Sequence, residues 1–280
     1  MLPQYLVREA VQRALAEDIG RGDITTDALI DGGVQASARL MAREQGIVAG
    51  LDLAEAAFRG VEPDIAFRRL IEDGQPVKAG DIIARISGSA RALLSAERVA
   101  LNFITHMSGV ASLTGRYVAA VAGTRARIVD TRKTLPGLRT FQKYAVRMGG
   151  GVNHRFALDD AAMIKDNHVI AAGGIGPAVR QVKAAVGHMV KVCCEVDHID
   201  QIEEALEAGA DVLLLDNMGT NTLAEAVHLI AGRAVAEASG KVSLETVAAI
   251  AASGVDVISV GRLTHSAPAL DIALDFDAPD

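Results

Sequence analysis

Hydrophobic and polar positions follow two different rhythms along the 280 residues. Met1 to Gly20 places apolar residues between charges at helical spacing, which predicts an amphipathic helix and not a signal peptide. Ala36 to Arg43 alternates small or apolar with mostly polar residues, the pattern of a half-buried strand. Two further short strands are predicted over Ala66 to Ile71 and Ile82 to Ile86. The turn residues Glu72-Asp73-Gly74 and Lys78-Ala79-Gly80-Asp81 bracket them. Turns so close together suit an antiparallel sheet with one covered face. A long helix follows over about Ala92 to Ala122, with Val99, Phe103, Met107 and Val110 on one face.

From Ala126 onward the pattern becomes an apolar run, a polar residue and a helix, repeated. Six runs end in Asp130, Lys165, Glu195, Asp216, Glu237 and Gly261, about 35, 30, 21, 21 and 24 residues apart. That is the scale of a strand, a helix and two loops, and near-continuous apolar runs suit parallel strands buried on both faces. Helix punctuation fits between them. Pro177 falls in a first turn, Thr222 to Glu225 has the form of a capping box, and Gly209 and Gly254 take the stop position. A helix is also expected from near Ser243, and His106 and His188 fall within helical stretches. The expected fold class is α/β, with a first domain over 1–110 and an incomplete (β/α) barrel over 111–269. Residues 270–280 are expected to pack back on the first domain. An open doubly wound sheet is the competing architecture. The barrel is preferred because every run ends in a polar or glycine position, where barrel active sites are built.

Composition changes this picture little. Half the residues are apolar, only 3% are aromatic and tryptophan is absent, so Ala, Val, Leu and Ile must build the core. Adjacent Cys193 and Cys194 point to opposite faces of a strand, so neither a disulfide scaffold nor a zinc site is expected. No apolar run approaches the roughly 20 residues of a membrane span, and a cytoplasmic location is expected. The net charge of −7 argues against a nucleic-acid or membrane surface.

Charge distribution matters more. Thr131 to Leu158 holds Arg132, Lys133, Arg139, Lys143, Arg147 and Arg155 and no acid. The same stretch carries Gly149-Gly150-Gly151 and His154, and Lys165 ends the next strand. Arg and Lys beside glycine backbone suit capture of carboxylate or phosphate. The plainer alternative is a basic face paired with a partner chain. Glu195, Asp216 and Glu237, each at a strand end, suit magnesium or a developing positive charge. Taken singly, each would be a helix cap or a surface acid. Ser239-Gly240 and Gly261 precede helical stretches and offer backbone N–H groups to a phosphate, although glycine there is often only a turn.

Several motifs resemble the quinolinate phosphoribosyltransferase family, also called nicotinate-nucleotide pyrophosphorylase (carboxylating). They are Asp130-Thr131-Arg132-Lys133-Thr134-Leu135-Pro136-Gly137-Leu138-Arg139, Lys143-Tyr144-Ala145-Val146, Gly149 to Arg155 and Ile164 to His168. Glu195-Val196, Leu215-Asp216-Asn217, Glu237-Ala238-Ser239-Gly240, Gly261 with Leu263 to Ser266, Gly22 to Thr26 and Ala96 to Asn102 also match. The resemblance implies that the first domain is an N-terminal α/β sandwich. It implies phosphoribosyl transfer from phosphoribosyl pyrophosphate to the ring nitrogen of quinolinate, with decarboxylation and with Mg2+. It implies Arg132, His154, Arg155 and Lys165 around the quinolinate carboxylates, and Lys133 on the carboxylate or pyrophosphate side. Glu195 and Asp216 would face the ribose and its magnesium, and Ser239, Gly240 and Gly261 the 5′-phosphate. Lys133, Lys165, Glu195 and Asp216 are the expected catalytic set. Arg98 is expected from the second chain of a homodimer. Three departures stand out: Cys193 replaces a frequent acid two residues before Glu195, Lys241 a usual Gly or Asn, and Arg262 a frequent Ala. Rival readings are a relative resembling the molybdenum-transport-associated protein ModD, a nicotinate-specific phosphoribosyltransferase and a non-catalytic anion-binding barrel.

Overall fold

The computed structural model describes residues 2–277, which divide into two compact units. The first comprises the described residues of Met1–Gly115, Thr140–Gly150 and Ser266–Asp280; the second comprises Arg116–Arg139 and Gly151–His265.

In chain order the first unit begins with α1 (Gln4–Ile19), α2 (Ile24–Leu29), β1 (Gln35–Ala42), β2 (Gly46–Ile47) and α3 (Leu51–Val61). It continues with β3 (Ala66–Arg69), β4 (Pro76–Val77), β5 (Ile82–Ser89) and α4 (Ala90–Ala120), whose last residues from Arg116 belong to the second unit. Most of α5 (Arg139–Met148) and β12 (Ile272–Phe276) complete it. The sheet order is β12-β1-β5-β3, antiparallel throughout. Alternation decides which face is covered: Ala38, Leu40 and Ala42 of β1 are buried, while Gln35 and Ser37 are exposed. β12 pairs with β1 from Ala38↔Phe276 to Ala42↔Ile272; residues 278–280 lie outside the described residues. Its approach runs close over α4, where a side chain at Gly109 would collide with the Pro268 carbonyl.

α5 stands apart from the first 115 residues in sequence, yet its polar side chains bond within this unit. Tyr144 donates to Asp73 at 2.8 Å, and the same carboxylate accepts the Gly50 and Leu51 N–H groups that open α3. Burial pushes the Asp73 pKa up, against these hydrogen bonds.

The second unit holds β6 (Arg127–Val129), β7 (Ala162–Ile164), α6 (Asp166–Ala172), α7 (Ile175–Ala185), β8 (Val192–Val196) and α8 (Gln201–Glu207). β9 (Val212–Asp216), α9 (Thr220–Ile230), β10 (Val235–Ser239), α10 (Val247–Ala252), β11 (Val257–Ser259) and α11 (Arg262–His265) follow. The six strands are parallel in the order β6-β11-β10-β9-β8-β7. Sequence neighbours β6 and β7 are therefore the two edges, and the barrel is open between them. A single parallel bridge, Val129↔Val152, extends the β6 edge towards that opening. The expected α/β class with an incomplete barrel is what the chain adopts. Between the side chains that will line the cavity, the alternate positions Cys194, Leu213, Leu215, Ala236, Ala238 and Ile258 are all at most 2% exposed, so the strands are covered on their other face as well.

Three local expectations are corrected. α9 starts at Thr220 behind Gly219, so Thr222 lies inside the first turn and makes no cap there. α10 starts at Val247 and not near Ser243, because a turn over residues 244–246 intervenes. His188 lies in a turn after α7 ends at Ala185.

Candidate active site

The carboxyl ends of the six parallel strands converge on a cavity of about 420 Å³ within the second unit. Each strand, or the segment just after it, supplies a side chain. Thr131, Arg132 and Lys133 follow β6, His154 and Arg155 precede β7, and Lys165 follows it. Glu195 comes from β8, Asp216 from β9, Glu237 and Ser239 from β10, and Ser259 from β11. Met163 and Leu214 are the apolar wall. This is the placement expected of a barrel, where strand ends present side chains and the strands below stay packed.

The basic segment is held by its own backbone. Thr131 Oγ1 accepts the Lys133 N–H at 3.0 Å, and Thr264 Oγ1 donates to the Lys133 carbonyl at 2.8 Å. Arg139 donates to Thr134 Oγ1 and to the carbonyls of Phe156 and Arg132. It therefore holds the loop and does not line the cavity. Asp130, fully buried, accepts the His154 N–H at 2.9 Å and the Asn153 side-chain amide at 2.6 Å. Lys143 and Arg147 also stay with the scaffold. Lys143 is buried on α5, and Arg147 sits 5.7 Å from the Tyr144 ring. The basic cluster thus splits, leaving Arg132, Lys133 and Arg155 at the cavity together with Lys165.

Arg132 and Arg155 form no ion pair among the described residues, and Arg132 Nε is buried without an acceptor. Burial, and after it the Arg132 charge, pushes the Arg155 pKa down. Two guanidiniums in mutual repulsion gain most from an anion placed between them. Lys165 Nζ meets Glu195 Oε2 at 2.5 Å, beside Asp216 on the next strand. Carboxylate oxygens of Glu195, Asp197 and Asp216 all lie within 4.8 Å of one another, a hard oxygen set that fits a magnesium ion.

Of the residues singled out in the sequence, Arg132, Lys133, His154, Arg155, Lys165, Glu195, Asp216 and Ser239 line the cavity. Gly240 and Gly261 do not, although both adjoin it. Gly240 takes a left-handed φ of 93°, and a side chain there would collide with Asn217. A Cβ at Gly261 would sit 3.1 Å from the Lys133 chain. Arg98 lies on α4 in the first unit and is not a lining residue. Sequence reasoning left out Thr131, Met163, Leu214 and Ser259, and it carried Glu237 no further than a strand-end acid. It also passed over Asp197, two residues beyond Glu195 and so recoverable from strand alternation.

Comparison with known proteins shows the family. Two family models match in succession: the quinolinate phosphoribosyl transferase N-terminal domain over residues 23–108 and the C-terminal domain over 110–275. The chain belongs to the quinolinate phosphoribosyltransferase family. A relative in Mycobacterium leprae, nicotinate-nucleotide pyrophosphorylase [carboxylating], is 44% identical over 276 residues, 96% of either protein. A probable nicotinate-nucleotide pyrophosphorylase [carboxylating] of Synechocystis is 43% identical, covering 98% of this chain and 94% of the relative. The solved structure of NadC from Streptococcus pyogenes superposes with a TM-score of 0.96 at 41% identity, over 100% of this chain and 99% of that one. For this quinolinate phosphoribosyltransferase family member, the C-terminal family model contains every residue that lines the cavity, and the N-terminal model contains Arg98.

Proposed function

We propose that the protein is a pentosyltransferase that joins the phosphoribosyl group of phosphoribosyl pyrophosphate to the ring nitrogen of quinolinate. Loss of the ring 2-carboxylate as CO2 gives nicotinate mononucleotide and pyrophosphate, the entry of the pyridine ring into NAD synthesis. The observation that carries this reading is the Arg132–Arg155 pair, two cations without an ion pair among the described residues, lining one cavity together with Glu195 and Asp216.

The chemistry follows from that division. Arg132, Arg155 and Lys165 hold the two carboxylates of the acceptor, with His154 beside them, and fix the ring nitrogen towards the sugar. As the bond from C1′ to pyrophosphate breaks, positive charge grows on the ribose, and Glu195 and Asp216 stabilise it from strand ends already in place. Lys133 faces the leaving pyrophosphate or a carboxylate. Ser239, with the backbone at Gly240 and Gly261, holds the 5′-phosphate. Once the ring nitrogen is quaternary, it accepts the electron pair left by CO2, and a proton then adds at C2. No electron-carrying cofactor is needed, and position and field supply the rate. Glu195, Asp216 and Asp197 would hold Mg2+, which when bound offsets the charge of the pyrophosphate. A homodimer in which each chain lends Arg98 to the other's cavity completes the reading. The expected location is the cytoplasm; among the described residues no helix is long and apolar enough to cross a membrane.

The test is an assay with quinolinate, phosphoribosyl pyrophosphate and magnesium, following CO2 and nicotinate mononucleotide together. Both products in equal amounts are expected. No product, or equal turnover with nicotinate, would sink the assignment.

A further inference from the structure

Glu237 differs from the other acids of the cavity. Glu195 is paired with Lys165, and Asp216 accepts from the Asn217 amide. The Glu237 side chain is only 4% exposed, and its Oε1 is buried with no hydrogen-bond partner. Oε2 lies 3.4 Å from His154 Nε2. A carboxylate so deeply buried with one loose partner is expensive, because its lost hydration is barely replaced. The neighbouring Cys193 offers it no compensating charge and stays a neutral thiol, since burial, and next the Glu237 charge itself, pushes the thiol pKa far up.

The far side of the imidazole is also engaged. His154 Nδ1 accepts the Arg155 N–H at 2.8 Å, which places the ring proton on Nε2, the nitrogen that faces Glu237. Both ring nitrogens are therefore turned to the protein, one to the backbone of Arg155 and one to Glu237. A histidine held in this way can act as a strut beside Arg155, whose Nη1 is tied to the Ala161 carbonyl at 2.8 Å.

We propose that Glu237 is a positioning residue for the acceptor site, acting through His154 to fix the His154–Arg155 segment against which a quinolinate carboxylate is held. The inference rests on reading the cavity as a quinolinate site. It assigns Glu237 to the acceptor half of the reaction, although its strand lies next to Asp216 on the ribose side. The logic is that of an outer partner that fixes the tautomer and orientation of an inner ligand.

A double-variant cycle on the full chain tests it, with quinolinate affinity read by calorimetry and both KM values by steady-state kinetics. Glu237→Leu should weaken quinolinate binding and raise its KM about tenfold, while KM for phosphoribosyl pyrophosphate stays within about twofold. Glu237→Gln, whose amide oxygen still accepts from Nε2, should recover most of the loss. In a His154→Ala chain either substitution should add less than about twofold. Thermal unfolding checks each variant, and Glu237→Ala substitutes for a Leu chain that does not fold. Undiminished effects in the His154→Ala background, equal rises in both KM values, a Gln variant as impaired as Leu, or unchanged quinolinate affinity would each overturn the inference. A wild-type chain that binds no quinolinate would instead overturn the reading of the cavity.

Discussion

Arg132 and Arg139 stand seven positions apart in one motif, yet only Arg132 reaches the cavity, because Arg139 is spent on the carbonyls of Phe156 and Arg132. Arg132→Ala should therefore weaken quinolinate binding by about 1.5–3 kcal/mol, the worth of a charged hydrogen bond, and calorimetry reads it. Unchanged affinity would remove Arg132 from the site. A second residue-scale expectation concerns Lys241, which holds a left-handed φ of 47° directly after Gly240. A side chain in that region costs about 1 kcal/mol, so Lys241→Gly should raise the denaturation midpoint by that equivalent. A lowered midpoint would show that the lysine side chain makes compensating contacts. At this scale the sequence was legible in residue type and silent on assignment. Which cation faces a ligand depends on carbonyls brought close in space, and no spacing rule encodes them.

Element identity was far more legible. All six parallel strands lie where the apolar runs predict them, because burial on both faces leaves little room for polar residues. Helix starts were read less well. Gly219 precedes α9 in extended conformation, and the Thr222–Glu225 pattern falls one turn too late to act as a cap. The membership of α5 was hidden altogether, since its tie to the first unit is Tyr144 meeting Asp73 across 71 residues. At the amino ends of the strands, Asp211 binds Lys183 and Lys191 and accepts the Val192 N–H, thereby joining β8 to β9. Burial opposes ionisation there, but these hydrogen bonds win, and the Asp211 pKa is lowered from 3.8. Its folded pKa lies below its unfolded one, so its stabilisation is complete above the ordinary value and is lost as pH falls through the lowered one. Asp211→Asn should lose less stability than the wild type between pH 6 and pH 3, as measured by urea midpoints. Equal acid losses in both proteins would remove Asp211 from the acid-sensitive set.

For the molecule as a whole, a net charge of −7 excludes a broad basic surface and says little about a cavity lined by Arg132, Lys133, Arg155 and Lys165. If a homodimer shares its sites, inactive Arg98→Ala and Lys165→Ala chains should regain partial activity when mixed. Such mixed dimers would carry one site in which both residues are intact. No recovery in proven mixed dimers would count against the shared site. The fold class and the acids Glu195 and Asp216 towards their strand ends were legible because repetition along the chain records them; Glu237, expected at a strand end, lies in the middle of β10, which runs on to Ser239. The three-part composition of the first unit was not, because only contacts distant in sequence reveal it. That composition bears on the order in which the chain takes shape during synthesis. β1 emerges early, and one of its two sheet neighbours, β12, is made more than two hundred residues later. Until then its row of N–H and C=O groups is open to other nascent chains. A chain ending at residue 265 should sediment as aggregate although the barrel strands are all present, and restoring 266–277 should return it to solution. β12 is thus the strand that lets the first unit close.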